Sequence, residues 1–321
     1  MIDEMTVSEI EAGTMLTDKL EAFFYAGDFE DYLETDFFQQ VVRCKTEKIE
    51  EAFSALPEKL RALAFHHAVL TDDPDIVEAC VNAAKKAKAN IDADFCDPEY
   101  GTPPLMQACF NGCKNSFSVL VGKGKASLSV KDDRGRGSAY ACLFSHDLDF
   151  MKWAKKRGVE FDLTDPVDAV LPLAGAEGTV DVLKWLIEEL GGDVNFADAE
   201  GHTALYYACM ATEMIRDLGN AALPDDEDDE ECEIEIVDDD DDDIEIEIDD
   251  DEDDGEDLDR QSRENILYLI DKGAYPTELA ENAFVPVVDR IKELREKEPS
   301  DVVDLEIKRE IKKLTDFAKK I

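Results

Sequence analysis

Long apolar runs and basic residues are both scarce in this 321-residue chain. No uncharged stretch reaches the about 18 to 20 apolar residues that a transmembrane helix needs, so no membrane association is expected. Lys and Arg number 34 against 79 Asp and Glu, which gives a net charge of −45. Such a chain repels a phosphate backbone, which argues against direct nucleic-acid binding. The first 30 residues hold eight acids and one Lys, the opposite of a secretory or mitochondrial leader, so we expect a protein of the cytoplasm, the nucleus or both.

Cysteine and histidine are also sparse, with eight and four residues respectively. Eight Cys are too few for a disulfide scaffold, so reduced thiols are expected. Cys109 and Cys113 are spaced i, i+4, but no second pair stands at zinc-binding spacing. Residues 250–261 resemble part of a calcium loop, but Gln261 stands where a bidentate Glu is needed. The motifs of phosphate loops, serine hydrolases, zinc proteases and dinucleotide sites are missing, so we expect no enzyme, no catalytic residue, no cofactor and no metal site.

The negative charge is concentrated in one segment. Residues 225–259 contain 26 Asp or Glu and no Lys or Arg, which leaves a net charge of −19 on the other 286 residues. With 44% apolar residues, the remainder is rich enough to build a sizeable core. The sequence therefore predicts a moderately acidic folded body with one polyanionic insert.

A period of about 34 residues organises the middle of the chain. Ala108 to Cys142 is a step of 34 residues, and so is Gly124 to Gly158. Within the period, two short apolar helical segments alternate with a polar turn. A fixed spacing of this size predicts repeated helix pairs that bury their apolar faces against their neighbours.

One copy of the period carries a specific motif. Segment 198–209, with the sequence DAEGHTALYYAC, resembles the ankyrin-repeat signature, in which Asp, two variable residues, Gly and one more variable residue precede Thr-Pro-Leu-His-x-Ala. The chain departs from the signature where Ala204 replaces Pro and Tyr206 replaces His. The matching positions are Gly201, Thr203, Leu205 and Ala208. The resemblance implies an all-α fold, an ankyrin-repeat solenoid of stacked helix-turn-helix units. The acidic composition of residues 225–259 predicts that they form a disordered loop within it.

We expect three parts along the chain. Residues 1–57 form divergent N-terminal capping helices or repeats, residues 58–275 form ankyrin-like repeats, and residues 276–321 form C-terminal capping helices. A disordered acidic insert at about 219–261 interrupts the repeats. Ala208 to Gly273 spans 65 residues, against 16 for Ala108 to Gly124, so about 49 residues are inserted between the two helices of the last repeat.

The insert has three interpretations. It could capture a basic protein through its carboxylates, it could be a loop that only keeps the protein soluble, or it could bind the basic stretch 308–321 of the same chain. A short motif inside it is similar to those that add a β-strand to the small ubiquitin-like modifier. Its residues are Ile234, Glu235, Ile236, Val237, Asp238 and Asp239. The alternative is that these β-branched residues only dilute the charge or pair locally.

The ankyrin resemblance also implies a contact surface. Partners of such proteins meet the tips of the projecting turns, here called fingers, and first-helix residues on the concave face. The corresponding positions are Glu99, Tyr100, Phe110, Asn111, Arg134, Arg136, Phe144, Glu200, His202 and Met210. Phe110 and Phe144 are 34 residues apart and are expected side by side as anchors, unless the repeats pack them inward and the Arg pair serves the turns. His66 falls where the signature has a His bonded to the turn backbone, which implies a structural role.

Together these features predict a non-enzymatic, monomeric protein-interaction module. In the favoured interpretation the acidic loop captures a Lys/Arg-rich client, as in an escort chaperone for histones or ribosomal proteins. The alternative is a scaffold or adaptor that binds its partner through the concave ankyrin face, with the insert only a solubilising linker.

Overall fold

The computed structural model describes residues 19–20, 23–43, 48–211 and 254–274. These residues are helical and contain no strand, only two isolated β-bridges, which confirms the all-α class. The helices are α1 Ala26–Leu33, α2 Asp36–Val42, α3 Ile49–Ala55, α4 Glu58–Leu70, α5 Pro74–Ala87, α6 Pro104–Phe110, α7 Lys114–Val119, α8 Ser138–Leu143, α9 Leu148–Lys156, α10 Val170–Glu177, α11 Val180–Lys184, α12 204–211 and α13 Asp254–Asp271. Wider π-helical turns, Leu120–Gly124 and Trp185–Glu189, extend α7 and α11.

Several predicted segments lie outside the described residues. They are residues 1–18 of the predicted N-terminal caps, residues 219–253 of the predicted acidic insert, with its strand-addition motif at 234–239, and the C-terminal helices predicted at 276–321. Residues 254–261 were assigned to the disordered insert, but in the structure they belong to α13. Acidic residues at this position suit the positive end of a helix dipole, so high acidity did not exclude a helix here.

The helices form the pairs α4–α5, α6–α7, α8–α9 and α10–α11. Polar side chains determine where the second helix of three of these pairs begins. Asp73 accepts hydrogen bonds from two backbone N–H groups in the first turn of α5. Asp147 accepts one in α9, and Thr179 accepts one in α11. These caps satisfy donors that a helix start leaves without partners, so each short turn between paired helices ends at a defined residue.

Successive helix pairs pack on one another in chain order. The first helices α4, α6, α8 and α10 each contact the next, and α13 packs on α10 and α11. Among the second helices, Phe117 of α7 meets Trp153 of α9 edge to face, with ring centroids 5.1 Å apart. Because no pair could bury its apolar face alone, the stack produces one continuous core.

A glycine permits the closest approach between two first helices. A Cβ added to Gly175 of α10 would fall 1.9 Å from the carbonyl oxygen of Ala204 in α12. Any side chain at this position would therefore push the two backbones apart, so Gly175 fixes the spacing of α10 and α12.

Helix α13 is attached to α10 by a buried amide. The fully buried Asn265 donates from Nδ2 to the carbonyl oxygens of Gly175 and Gly178, at 3.0 and 2.6 Å. Ile266 and Leu269 of the same helix are buried in the core. The bonds satisfy carbonyl groups at the end of α10, which otherwise lack helical partners.

At the other end of the stack, α1 and α2 pack on α4, and α3 packs on α5. His67 of α4 is buried here, and its Nδ1 lies 2.6 Å from the hydroxyl oxygen of Tyr32. Its ring also stacks on Phe38, with centroids 5.7 Å apart. Burial lowers the pKa of His67 to about 4, because the imidazolium form would lose its hydration.

The buried imidazole predicts that acid weakens the fold. The pKa of His67 is about 4 in the folded chain and near 6.5 in the unfolded chain, so between these values the unfolded chain binds more protons at this site. The contribution of the neutral ring to the free energy of unfolding is therefore complete above pH 6.5 and is lost as pH falls towards 4. One proton corresponds to about 1.4 kcal/mol per pH unit, or about 2 kcal/mol between pH 6.5 and 5. We expect His67→Gln to flatten the dependence of the unfolding free energy on pH, measured by urea titration, by about this amount.

The exposed His146 provides the matched control. His146→Asn removes an exposed imidazole instead and is titrated in parallel as the reference. The same slope in His67→Gln as in the parent would contradict the assignment of a neutral buried ring.

Candidate protein-interaction surface

Four fingers share one construction, in which an Asp carboxylate accepts hydrogen bonds from backbone N–H groups two to four residues further on. In one finger, Asp132 Oδ1 accepts from the N–H groups of Arg134 and Arg136, both at 2.9 Å. The four aspartates are Asp97, Asp132, Asp165 and Asp198. Their spacings are 35, 33 and 33 residues, so the carboxylates follow the period of the helix pairs.

Neighbouring fingers are bonded to each other. The N–H of Asp133 donates to the carbonyl oxygen of Tyr100 at 2.9 Å, and the N–H of Ala199 donates to that of Pro166 at 3.1 Å. The Arg134 guanidinium carbon lies 4.3 Å from the centre of the Tyr100 ring. The predicted contact residues Tyr100 and Arg134 are therefore adjacent, as an exposed cation over an aromatic ring.

Arg136, in contrast, has its donors engaged within the protein. Its Nε donates to Asp132 Oδ2 and its Nη1 donates to the Tyr140 hydroxyl, both at 2.7 Å. The Asp132 side chain is fully buried, and that of Arg136 is 18% exposed. Arg136 therefore fits the alternative role of a finger residue, which supports the turn from inside.

Phe110 and Phe144 lie side by side, as their spacing predicts, and Tyr140 joins them. The ring centroids of Phe110 and Phe144 are 6.0 Å apart, and Tyr140 lies 6.0 Å from Phe110 and 4.8 Å from Phe144. All three side chains are half-buried, so part of each ring faces solvent. We call these three residues the aromatic patch.

A second cluster forms around the last finger. His202 stacks on Tyr206, with centroids 4.0 Å apart and planes 5° from parallel. The carboxylate of the exposed Glu200 lies 3.5 Å from His202 Nδ1. Met210, one helical turn beyond Tyr206, is half-buried. Glu200, His202 and Met210 therefore belong to one small surface.

The two remaining predicted contact residues stand apart from these clusters. Glu99 is exposed at its finger tip, while the Asn111 side chain donates to the carbonyl oxygen of Gln107 at 3.2 Å. Tyr140 and Tyr206 were missed in the sequence, although they are 66 residues apart, two steps of 33. Their shared position in the repeat could have identified both as candidate contact residues.

His66 lies where the sequence places it, beneath a finger. Its Nε2 is 2.8 Å from the carbonyl oxygen of Phe95, and the residue is fully buried. Burial lowers the pKa of His66, so the ring is neutral and its Nε2–H is the donor. The bond fixes the loop that leads into the first finger.

The part of the chain that the structure describes offers neither a metal site nor a membrane span. No three His, Cys, Asp or Glu side chains gather there in a group that could hold a metal ion. None of the described helices is long and apolar enough to cross a membrane.

Comparison with protein-family models finds no match, and comparison with curated proteins finds none either. The resemblance to ankyrin repeats therefore depends on the motif at 198–209 and on the spacing of the helix pairs.

The construction of the fingers predicts a large effect of Asp132→Ala. The change leaves two backbone N–H groups and the Arg136 guanidinium without their acceptor, so we expect the unfolding free energy to fall by about 2 to 4 kcal/mol. The neighbouring Asp133→Ala, at an exposed position, should change it by less than about 0.5 kcal/mol. Denaturant titration measures both, and equal losses would contradict the role assigned to Asp132.

Proposed function

We propose that this chain is a non-enzymatic protein-binding module, an ankyrin-like solenoid that holds a basic client. The observation that carries the proposal is the aromatic patch. Phe110 and Tyr140 belong to the consecutive first helices α6 and α8, Phe144 directly follows α8, and all three keep part of their rings in solvent. Clustered aromatic side chains on a rigid scaffold are typical anchors of protein interfaces.

The charge of the chain supports a basic client. The net charge is −45, and residues 225–259 supply 26 carboxylates. A Lys/Arg-rich partner would be attracted from a distance, and release of condensed cations would favour binding, the reverse of a basic protein that meets DNA. Escort of histones or ribosomal proteins is the form of the proposal that best fits this chemistry.

The position of the acidic segment fits a combined mode of binding. Helix α12 begins directly after the last finger. In an ankyrin-like stack such a helix runs away from its finger, so residue 211 would lie at the edge opposite the fingers. A client held by the segment would therefore leave the finger tips uncovered. The segment would provide attraction, and the aromatic patch would provide a defined contact.

The second candidate is a scaffold or adaptor whose partner binds the aromatic patch alone. It is favoured by the packing of that patch, whose three rings contact one another. In this case the acidic segment only keeps the protein in solution.

Removal of the acidic segment tests the favoured proposal. The deletion should cover residues 222–253 and stop before α13, because Asn265 attaches that helix to α10. The probe is a synthetic 20-residue peptide of Lys and Arg with interspersed Leu and Phe. We expect its affinity, measured by calorimetry at about 50 mM salt, to fall at least tenfold and its salt dependence to become shallower. A Gly/Ser linker of equal length is the matched control for closure of the loop.

Unchanged affinity and an unchanged salt slope in the deletion variant would exclude the role of the acidic segment in capture. That result would leave the adaptor as the remaining candidate.

The aromatic patch is tested by Phe110→Ala/Phe144→Ala. Loss of two anchors should weaken binding of the peptide with Leu and Phe about tenfold or more, whereas a peptide of Lys alone should bind as before. Tyr25→Ala is the control, since Tyr25 is also an exposed aromatic residue and lies outside the patch. If the double variant folds and binds both peptides as the parent does, the patch is not the contact surface.

A further inference from the structure

A cleft of about 470 Å³ lies between two neighbouring repeats, beneath their fingers. Its aliphatic wall includes Val121, Leu128 and Val130, which follow the second helix of one repeat. Its acidic side comes from the next repeat. The acidic residues are Glu160, Asp162, Asp165 and Asp168. None of the aromatic patch residues lines this cleft, so it is a separate feature of the surface.

The acidic side is only partly neutralised. Lys131 is the basic residue among those that line the cleft, and its Nζ is paired with Asp165 Oδ2 at 2.9 Å. Asp162 accepts its hydrogen bonds from the backbone and hydroxyl of Thr164, which are neutral donors. Lys131 also acts on Asp162 and Asp168 from a distance, so Glu160, Asp162 and Asp168 line the cleft without a direct ion pair among the described residues.

Asp168 lies deepest of these acids. It is 7% exposed, and its Oδ1 accepts from the N–H of Gly137 at 2.7 Å. Burial raises the pKa of this carboxyl, which indicates that its charge is poorly hydrated. A cation that entered the cleft would replace the missing hydration.

Ser138, beside Gly137, has a buried hydroxyl group without a partner among the described residues. It lines the cleft, is 3% exposed, and its Oγ has no hydrogen-bond partner among the described residues. Buried hydroxyl groups in folded proteins nearly always have a partner, so an unpaired one at the wall of a cleft points to a donor that arrives with a ligand.

We propose that this cleft binds the side chain of one Lys or Arg residue of the basic client. A long aliphatic stem would lie on Val121, Leu128 and Val130, while the cationic head meets Glu160, Asp168 and the Ser138 hydroxyl. The inference rests on the proposed function, because it assumes a Lys/Arg-rich partner. It adds a second point of recognition, separate from both the aromatic patch and the acidic segment.

A divalent metal ion fits this cleft less well than an organic cation. The described residues contain no group of three His, Cys, Asp or Glu that could hold a metal ion, and one wall of the cleft is aliphatic. A metal ion would gain nothing from that wall, whereas a Lys or Arg stem would bury apolar surface on it.

Titration of the full chain with single amino-acid derivatives tests the proposal. The probes are N-acetyl-lysine methylamide and N-acetyl-arginine methylamide, and the norleucine derivative is the uncharged control. Amide NMR shifts of Gly137 and Asp168 report the cleft directly, whatever else the cationic probes contact. We expect saturable shifts with one or both cationic probes and none with norleucine. No shift at these amides, or equal shifts with norleucine, would overturn the proposal.

Two substitutions separate binding from folding. Ser138→Ala removes a hydroxyl that has no partner in the free protein, so thermal stability should be retained while the apparent Kd from these shifts rises about fivefold. Glu160→Gln, at an exposed position, should weaken binding similarly. Asp149→Asn makes the same charge change outside the cleft and should leave the Kd unchanged. Equal Kd values in all three variants and the parent would refute the assignment.

The amide shifts at the cleft and the effect of the deletion together distinguish failure of this inference from failure of the proposed function. Shifts at Gly137 and Asp168 that persist while the 222–253 deletion leaves peptide affinity unchanged would support the cleft and reject capture by the acidic segment. Loss of peptide affinity on deletion without any shift at these amides would reject the cleft alone.

Discussion

The repeated turn carboxylate is the constraint on which the rest of the structure depends. Each finger connects the second helix of one pair to the first helix of the next, so its shape sets how far apart the pairs stand. Asp97, Asp132, Asp165 and Asp198 define that shape by bonding to backbone N–H groups that would otherwise lack partners. The packing of the first helices, and hence the aromatic patch, follows from this regular spacing.

The sequence predicted what depends on the period alone. Helix pairs, the neighbouring positions of Phe110 and Phe144, and the bond of His66 to the loop backbone all follow from where a residue stands in the repeat. The sequence left two roles open for Arg136, partner contact or support of the turn. It could not decide between them, because the outcome depends on the orientation of Asp132 and Tyr140 around it. The sequence analysis also placed residues 254–261 of α13 in the disordered insert, for a different reason. Acidic composition does not distinguish a disordered loop from the first turns of a helix.

The sequence did not predict the cleft either. Its aliphatic wall and its carboxylates belong to different repeats, and Ser138 has no motif around it. Only the stacking of one repeat on the next brings Leu128 towards Asp168. An unpartnered buried hydroxyl is likewise a property of three-dimensional packing and leaves no pattern along the chain.

The attachment of α13 through Asn265 has a consequence for how the acidic segment would act. Residues 211 and 254 both belong to helices of the body, so the chain between them is tethered at two points. The entropic cost of closing such a loop grows only with the logarithm of its length, which explains how a long insertion is tolerated within one repeat. In the proposed function, two tethers would give the carboxylates of the segment a high effective concentration for a client bound on the stack. A client that leaves one contact would therefore meet the others again before it diffuses away.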